Sequence, residues 1–302
     1  MMNFNDELTA RAAETDRIIK SYLPQPEKYK ELIVESARYS VEAGGKRVRP
    51  LIIMEAFRLC GGKDESVIKP FMAALEFIHS YSLVHDDLPA MDNDTYRRGK
   101  LTTHKKFGED FGILAGDALL NYAYEVMLSA VMSAYKNYDN AQVYNMNKAA
   151  AIIAYKAGIN GMVGGQSLDV YLTGKDMDKE QLDFIFNLKT GALIEAAFMA
   201  GGALAGADDD VVNKLEKAGN LVGVAFQIQD DILDIYGDES KLGKPVHSDE
   251  RNNKNTYVSL YGIDAARKAV SSMSAKAEDI IKDIGDNEFL VQFINYLINR
   301  VM

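Results

Sequence analysis

The sequence predicts an all-α protein, and three observations carry that expectation. Only six prolines occur in 302 residues, and three of them, Pro24, Pro26 and Pro50, fall before residue 51, so long stretches are free of helix breakers. Those stretches are rich in Ala, Leu, Ile, Lys and Glu, which favour helix. Strand signals are poor: no Asn-Gly or Asp-Gly pair sits between alternating β-branched runs, and Asn160-Gly161 lies among glycines and alanines. At 47% hydrophobic and 26% charged the chain is globular in composition and long enough to bury a large core. No Ser/Pro-rich linker, low-complexity tract or fixed-period repeat divides it, so a single large helical domain over residues 1–302 is expected.

In chain order, Met1–Lys20 carries Asp6, Glu7, Arg11, Glu14, Asp16 and Arg17, with no apolar stretch of the kind a signal peptide needs. Gly44-Gly45-Lys46-Arg47-Val48-Arg49-Pro50 then gathers three cations around a glycine pair. Pro70–Asp86 places Phe71, Ala74, Leu75, Ile78, Ser82 and His85 at three- and four-residue steps, the mark of one helical face. Leu182–Phe186 and Leu193–Phe198 repeat at helical spacing. Loops are expected at Cys60–Lys63, Thr95–Leu101, Thr173–Asp178, Ala205–Asp210 and Gly237–Asn255. Ala196–Ala207 is the most membrane-like stretch and is too short to span a bilayer.

A net charge of −10, from 34 Lys plus Arg against 44 Asp plus Glu, argues against broad nucleic-acid binding. The single cysteine, Cys60, excludes an intramolecular disulfide and fits a reducing compartment, so a cytoplasmic protein is expected. The chain has no GxxxxGK[ST] loop, no HExxH and no paired CxxC. Asn93-Asp94-Thr95 matches a glycosylation pattern only by coincidence on this reading.

Two acidic clusters stand out. Asp86-Asp87-Leu88-Pro89-Ala90-Met91-Asp92 ends the apolar-faced segment, and its carboxylates repel one another unless solvated or metal-bound. A solvated helix end and a hard-cation site both fit it. In the second, Gln227, Asp230, Asp231 and Asp234 fall at offsets of three, four and seven, so on a helix they share one face. Their neighbours Phe226, Ile228, Ile232, Leu233 and Ile235 are apolar, and an acidic stripe in core-like sequence is costly without cations. Here metal binding is the stronger reading, and each cluster supports the other. Basic residues lie close by in sequence: the Gly44–Pro50 cations, Arg97 and Arg98, Lys244 and Lys254. Arginine forks grip phosphate oxygens in pairs. The chemistry this implies is magnesium-dependent handling of diphosphate esters.

Gly44–Pro50, Asp86–Asp92 with Arg97-Arg98-Gly99, Gly164-Gly165-Gln166, Lys189-Thr190-Gly191 and Gln227 through Asp234 together resemble the ordered motif set of the trans-isoprenyl diphosphate synthases, from about Tyr39 to Tyr261. The form nearest in appearance is the bacterial-type farnesyl diphosphate synthase, whose first aspartate motif carries two extra residues, here within Leu88–Met91. The resemblance implies the isoprenoid synthase fold, with helices around a central cavity, usually as a homodimer. It implies condensation of an allylic diphosphate with isopentenyl diphosphate, assisted by magnesium, with three ions per active site.

On the same footing, Asp86 and Asp92, supported by Asp87, would ligate magnesium from one wall, and Asp230 with Asp234 from the other. Arg97, Lys189 and Lys244 would hold the allylic diphosphate, and Lys46, Arg49, His79 and Arg98 the isopentenyl diphosphate. Thr190 and Gln227 would set oxygen dipoles beside the developing cation, and Lys254 would help close a lid formed by Gly237–Asn255. A glycine in Lys189-Thr190-Gly191 weakens a helix and can expose carbonyls, which suits a cation site. The family's short basic tail is reduced here to Arg300, which puts closure over the isopentenyl site in doubt.

Product length is expected to depend on Tyr81, five residues before Asp86 and so roughly 7.5 Å below it along the helix. In the related family an aromatic there, with the two-residue insertion, goes with a fifteen-carbon product; ordinary core packing is the alternative for this ring. A geranyl or geranylgeranyl diphosphate synthase shares every motif. A terpene cyclase would not need the Lys46/Arg49 and Arg97/Arg98 sets, and a non-catalytic subunit would be expected to lack one aspartate motif.

Overall fold

The structure is a computed structural model and describes residues 3–236 and 256–298. Among these the chain is helical as expected, apart from one two-stranded hairpin. It divides into two compact units: Met1–Met54 with Asp64–Ala150, and Glu55–Lys63 with Ala151–Met302.

The first unit holds α1 (Phe4–Ser21), α2 (Glu31–Glu42), the start of α3 (Val48–Leu59), α4 (Lys69–Asp86), β1 (Tyr96–Arg97), β2 (Lys100–Leu101), α5 (Thr103–Phe107), α6 (Glu109–Asn137) and most of α7 (Asn140–Ala157). Asn3 caps α1 by accepting the Asp6 N–H at 3.0 Å. Pro70 sits in the first turn of α4, where its missing N–H is no loss. The sequence shows one apolar face on this helix; in the structure Phe71, Met72, Ala73, Ala74, Leu75, Phe77 and Ile78 are all fully buried, so α4 is core on every side there. It packs along α6, and the His85 ring fills the space where a Cβ on Gly116 would stand.

The expected loop at Thr95–Leu101 contains the hairpin. Tyr96 pairs with Leu101 and Arg97 with Lys100, and the connecting Arg98 (φ 55°) and Gly99 (φ 74°) both have positive φ, as a two-residue type I′ turn requires. Two-residue strands are too short to show alternation, which is why no strand is visible in the sequence.

The second unit holds the remainder of α3 and α7, then α8 (Met162–Leu172), α9 (Lys179–Ile185), a π-helical turn (Phe186–Gly191), α10 (Ala192–Leu204), α11 (Asp209–Tyr236), α12 (Tyr257–Tyr261), α13 (Ile263–Ile284) and α14 (Glu288–Ile298). Asp178 and Gln181 close a capping box at the start of α9. The run Lys179–Leu204 is longer than the stretch Ala196–Ala207 and passes the length and composition test for a membrane span, yet 67% of its most apolar window is buried inside the protein, as in a core helix. Lys244, Lys254, the Gly237–Asn255 segment and Arg300 lie outside the described residues.

Candidate active site

In the first unit the loop before α3 and the end of α4 each carry a constellation. Arg47 has a left-handed backbone (φ 49°), and only 2% of its surface is exposed. Its guanidinium donates to Asp16 Oδ1 from Nε (3.0 Å) and Nη2 (2.8 Å), to Glu76 Oε1 from Nη1 (2.7 Å) and to the Val41 carbonyl from Nη2 (2.7 Å). Arg47 therefore pins the loop to α1, α2 and α4, whereas its neighbour Lys46 is exposed. Arg98 donates to the Gly44 carbonyl, and its guanidinium lies 2.9 Å from where a Cβ on Gly45 would stand; the positive φ of Gly45 (146°) is what favours glycine there.

Arg49 has a buried Nε without a hydrogen-bond partner. Burial, with Arg98 nearby, lowers its guanidinium to about 10 against the opposing pull of Glu76. Burial and then Arg49, Arg98, Arg97 and Arg47 hold the His79 imidazole well below its ordinary value, so it is neutral at pH 7. Glu76, buried and already paired with Arg47, is the carboxylate among these cations. Such a cluster favours an incoming anion with several oxygens.

At the end of α4 the chain turns back on itself. Met91 and Asn93 donate their N–H groups to the Leu88 carbonyl (2.9 and 3.1 Å), Asn93 takes a positive φ (52°), and the Asp92 N–H bonds the Asp86 carbonyl at 2.9 Å. The two extra residues thus form a turn that returns Asp92 to Asp86. Asp86 is half-buried and Asp92 exposed. Asp87, between them in sequence, is 3% exposed and accepts from Arg97 Nε at 2.7 Å; Arg97 also reaches Asp94 at 3.3 Å. Burial raises the Asp87 carboxyl, and Arg97 opposes that shift. Tyr81 is 6% exposed, edge-on to His85 at 5.8 Å, and its hydroxyl is pushed up to about 12 by burial, with Tyr124 and Asp86 adding to the shift.

In the second unit the π-helical turn carries Lys189, Thr190 and Gly191. Lys189 Nζ pairs with Asp169 Oδ2 of α8 at 2.5 Å. The Thr190 hydroxyl donates to Gln227 Oε1 at 2.8 Å. Gln227 Nε2 donates to Asp231 Oδ1 at 3.2 Å, and Asp231 Oδ2 accepts the Tyr257 N–H at 2.8 Å. Asp230 is half-buried and Asp234 buried, one turn apart on α11. Gly165, in the Gly164-Gly165-Gln166 motif, lets α8 run against the turn: a Cβ there would lie 2.3 Å from the Lys189 nitrogen.

Three residues matter more here than the sequence reading allowed. Glu76 was visible as a lone charge in the apolar run of α4, and Asp169 as an acid three residues after Gln166. Asp231 lies within the acidic stripe, but only the structure shows it buried and holding Gln227. Among the described residues no group of three or more His, Cys, Asp or Glu side chains is preassembled around a metal position. An all-oxygen donor set of one or two carboxylates completed by substrate phosphates suits magnesium without such a cage, so Asp86 with Asp92, and Asp230 with Asp234, fit the ion.

Comparison with known proteins gives a match to the family model described as polyprenyl synthetase over residues 30–292. The chain is 42% identical over 270 residues to a geranylgeranyl diphosphate synthase of Cyanophora paradoxa, covering 89% of this chain and 87% of that protein. It is also 42% identical over 267 residues to a farnesyl diphosphate synthase of Micrococcus luteus, covering 88% of each. Among solved structures, the geranyltransferase of Helicobacter pylori complexed with magnesium and isoprenyl diphosphate superposes with a TM-score of 0.83 at 27% identity, over 99% of this chain and 98% of that one.

Proposed function

Since this chain belongs to the polyprenyl synthetase family and is a trans-prenyl diphosphate synthase, we propose that it condenses isopentenyl diphosphate with dimethylallyl and geranyl diphosphate and stops mainly at farnesyl diphosphate. The observation that carries this reading is the end of α4, where Asp92 folds back onto Asp86 and Tyr81 is buried on the same helix below them. Magnesium held by Asp86 and Asp92, and by Asp230 and Asp234, together with substrate oxygens, supplies the positive charge that makes diphosphate a competent leaving group.

The chain's own residues do the rest. Arg97 and Lys189 grip the allylic diphosphate. Lys46, Arg49 and Arg98 bind isopentenyl diphosphate, with His79 neutral beside them. Because the Thr190 hydroxyl hydrogen is taken by Gln227, its oxygen offers only lone pairs elsewhere, the right polarity beside an allylic cation. Lys244 and Lys254 keep their expected roles in this proposal.

Two expectations test the assignment of pockets. Arg49→Ala or Lys46→Ala is expected to raise KM for isopentenyl diphosphate by about 10- to 100-fold, as loss of a charge-assisted hydrogen bond does. Arg97→Ala should act on the allylic KM instead, and Arg→Lys should not restore either, since the fork is lost. Steady-state kinetics with each substrate varied in turn check the division; equal changes in the same KM from both sets would overturn it.

Product length is tested at Tyr81. Tyr81→Ala is expected to release geranylgeranyl diphosphate or longer chains where the unaltered enzyme stops at fifteen carbons, read by chromatographic sizing of labelled products. An active Tyr81→Ala enzyme that still stops at fifteen carbons would place the stop elsewhere, and a wild-type product of twenty carbons would favour the geranylgeranyl reading that the Cyanophora relative's name carries. A homodimer is part of the same proposal. It is supported by Leu128, Met132 and Tyr135 on α6, which are 58%, 67% and 61% exposed at helical spacing and form an apolar stripe of the kind that subunits cover.

A further inference from the structure

We infer that the buried Lys156–Glu195 pair is a positioning device for the reaction: acting through Asn220, it fixes the π-helical turn that carries Lys189 and Thr190. This rests on the prenyl transfer proposed above. Glu195 is 5% exposed and Lys156 9%. Glu195 Oε2 accepts from Lys156 Nζ, which also reaches Glu216 Oε1 at 2.6 Å. Glu195 Oε1 accepts from Asn220 Nδ2 at 2.8 Å, and the same Nδ2 donates to Asn187 Oδ1 at 2.8 Å. Both amide hydrogens are thereby used, one on the ion pair and one on the π turn, which sets the orientation of the Asn220 amide.

The turn needs such a hold. A π-helical turn has no strong local preference for its register, so neighbours must impose it. Glu216, Asn220, Gly223, Gln227 and Asp231 follow one another on α11 at steps of four, three, four and four, and so share a face. Along that face Asn220 grips Asn187 and Gln227 grips Thr190. Gly223 touches the turn directly: a Cβ on it would lie 2.7 Å from the Gly191 Cα. A buried ion pair adds little stability of its own, and its use here is geometric.

Glu195→Gln offers one oxygen where Lys156 and Asn220 need two. It is expected to lower kcat by about 100-fold, the order of loss a misplaced catalytic group produces, and to raise the allylic KM that Lys189 serves, while KM for isopentenyl diphosphate stays within about twofold. Lys156→Met combined with Glu195→Gln frees the glutamine oxygen for Asn220 and is expected to recover about tenfold or more of that kcat. Asn187→Ala, which leaves the ion pair intact, should lower kcat similarly with an unchanged melting midpoint, and it serves should Glu195→Gln fail to fold. Wild-type kcat per folded enzyme in Asn187→Ala or Glu195→Gln, or no recovery in the double variant, would overturn the inference while leaving the proposed function intact. A wild-type enzyme that forms no prenyl product from any allylic starter with magnesium would overturn both.

Discussion

Asp86→Ala is expected to lower turnover by about 1000-fold or more, and Asp230→Ala by a similar factor, each corresponding to about 4 kcal/mol of lost transition-state stabilisation. Diphosphate leaves only when its growing charge is neutralised, and each substitution removes a carboxylate assigned to the cation that does this. The turn that returns Asp92 to Asp86 is closed by backbone atoms, so Asp86→Ala leaves it standing and the loss is chemical rather than structural. Steady-state rates across a magnesium titration, with circular dichroism to confirm folding, check this. Full activity in excess chelator, or a variant retaining a tenth of wild-type turnover, would remove the metal assignment.

The second large effect is on stability. Arg47→Met is expected to lower the free energy of unfolding by about 3–5 kcal/mol, the usual result of removing one partner from a buried ion pair. Glu76 would lose its direct ion-pair partner, and the Val41 carbonyl the shorter of its hydrogen bonds, keeping the Gly44 N–H at 3.4 Å. Lys46→Met, one residue away but exposed, should change stability by no more than about 0.5 kcal/mol. Arg47→Met with Glu76→Leu removes both charges and should recover most of the loss. Denaturant midpoints for the four proteins decide the matter; equal midpoints for Arg47→Met and Lys46→Met would show that the pin carries no weight.

That contrast shows what the sequence could and could not say. Proline scarcity and the spacing from Phe71 to His85 made the helices legible, because helix periodicity is local. The acidic motifs were legible because clustered carboxylates in apolar sequence are improbable without a use. Long-range partners were not. Lys46, Arg47 and Arg49 look equivalent in a row of cations, and what separates them is Asp16 and Glu76, about thirty residues away on either side. Asp86 and Asp87 differ in the same way, since the hairpin brings Arg97 to one of them. The loop around Arg98-Gly99 was legible, but the strands that flank it escaped because they have two residues each. Lys189-Thr190-Gly191 was readable as a helix irregularity, but its π form depends on contacts from α8 and α11 that no local pattern encodes.

The π-helical turn also bears on how the gene can change. It accommodates more residues than a regular helical turn would, between α9, where Leu182 and Ile185 are buried, and α10, where Leu193, Ala196 and Ala197 are. A π turn uses about one residue more per revolution than an α turn, so losing a single codon within Phe186–Gly191 would let the two helices fuse into one regular helix with the faces on either side still nearly in register. Leu182 and Ile185 would stay on the buried side, and what would be lost is the widened turn that carries Lys189 and Thr190. A codon lost within α9 or α10 themselves would instead turn everything beyond it by about 100°. The turn is therefore where this run can change length without turning its helices, at the expense of the site it carries.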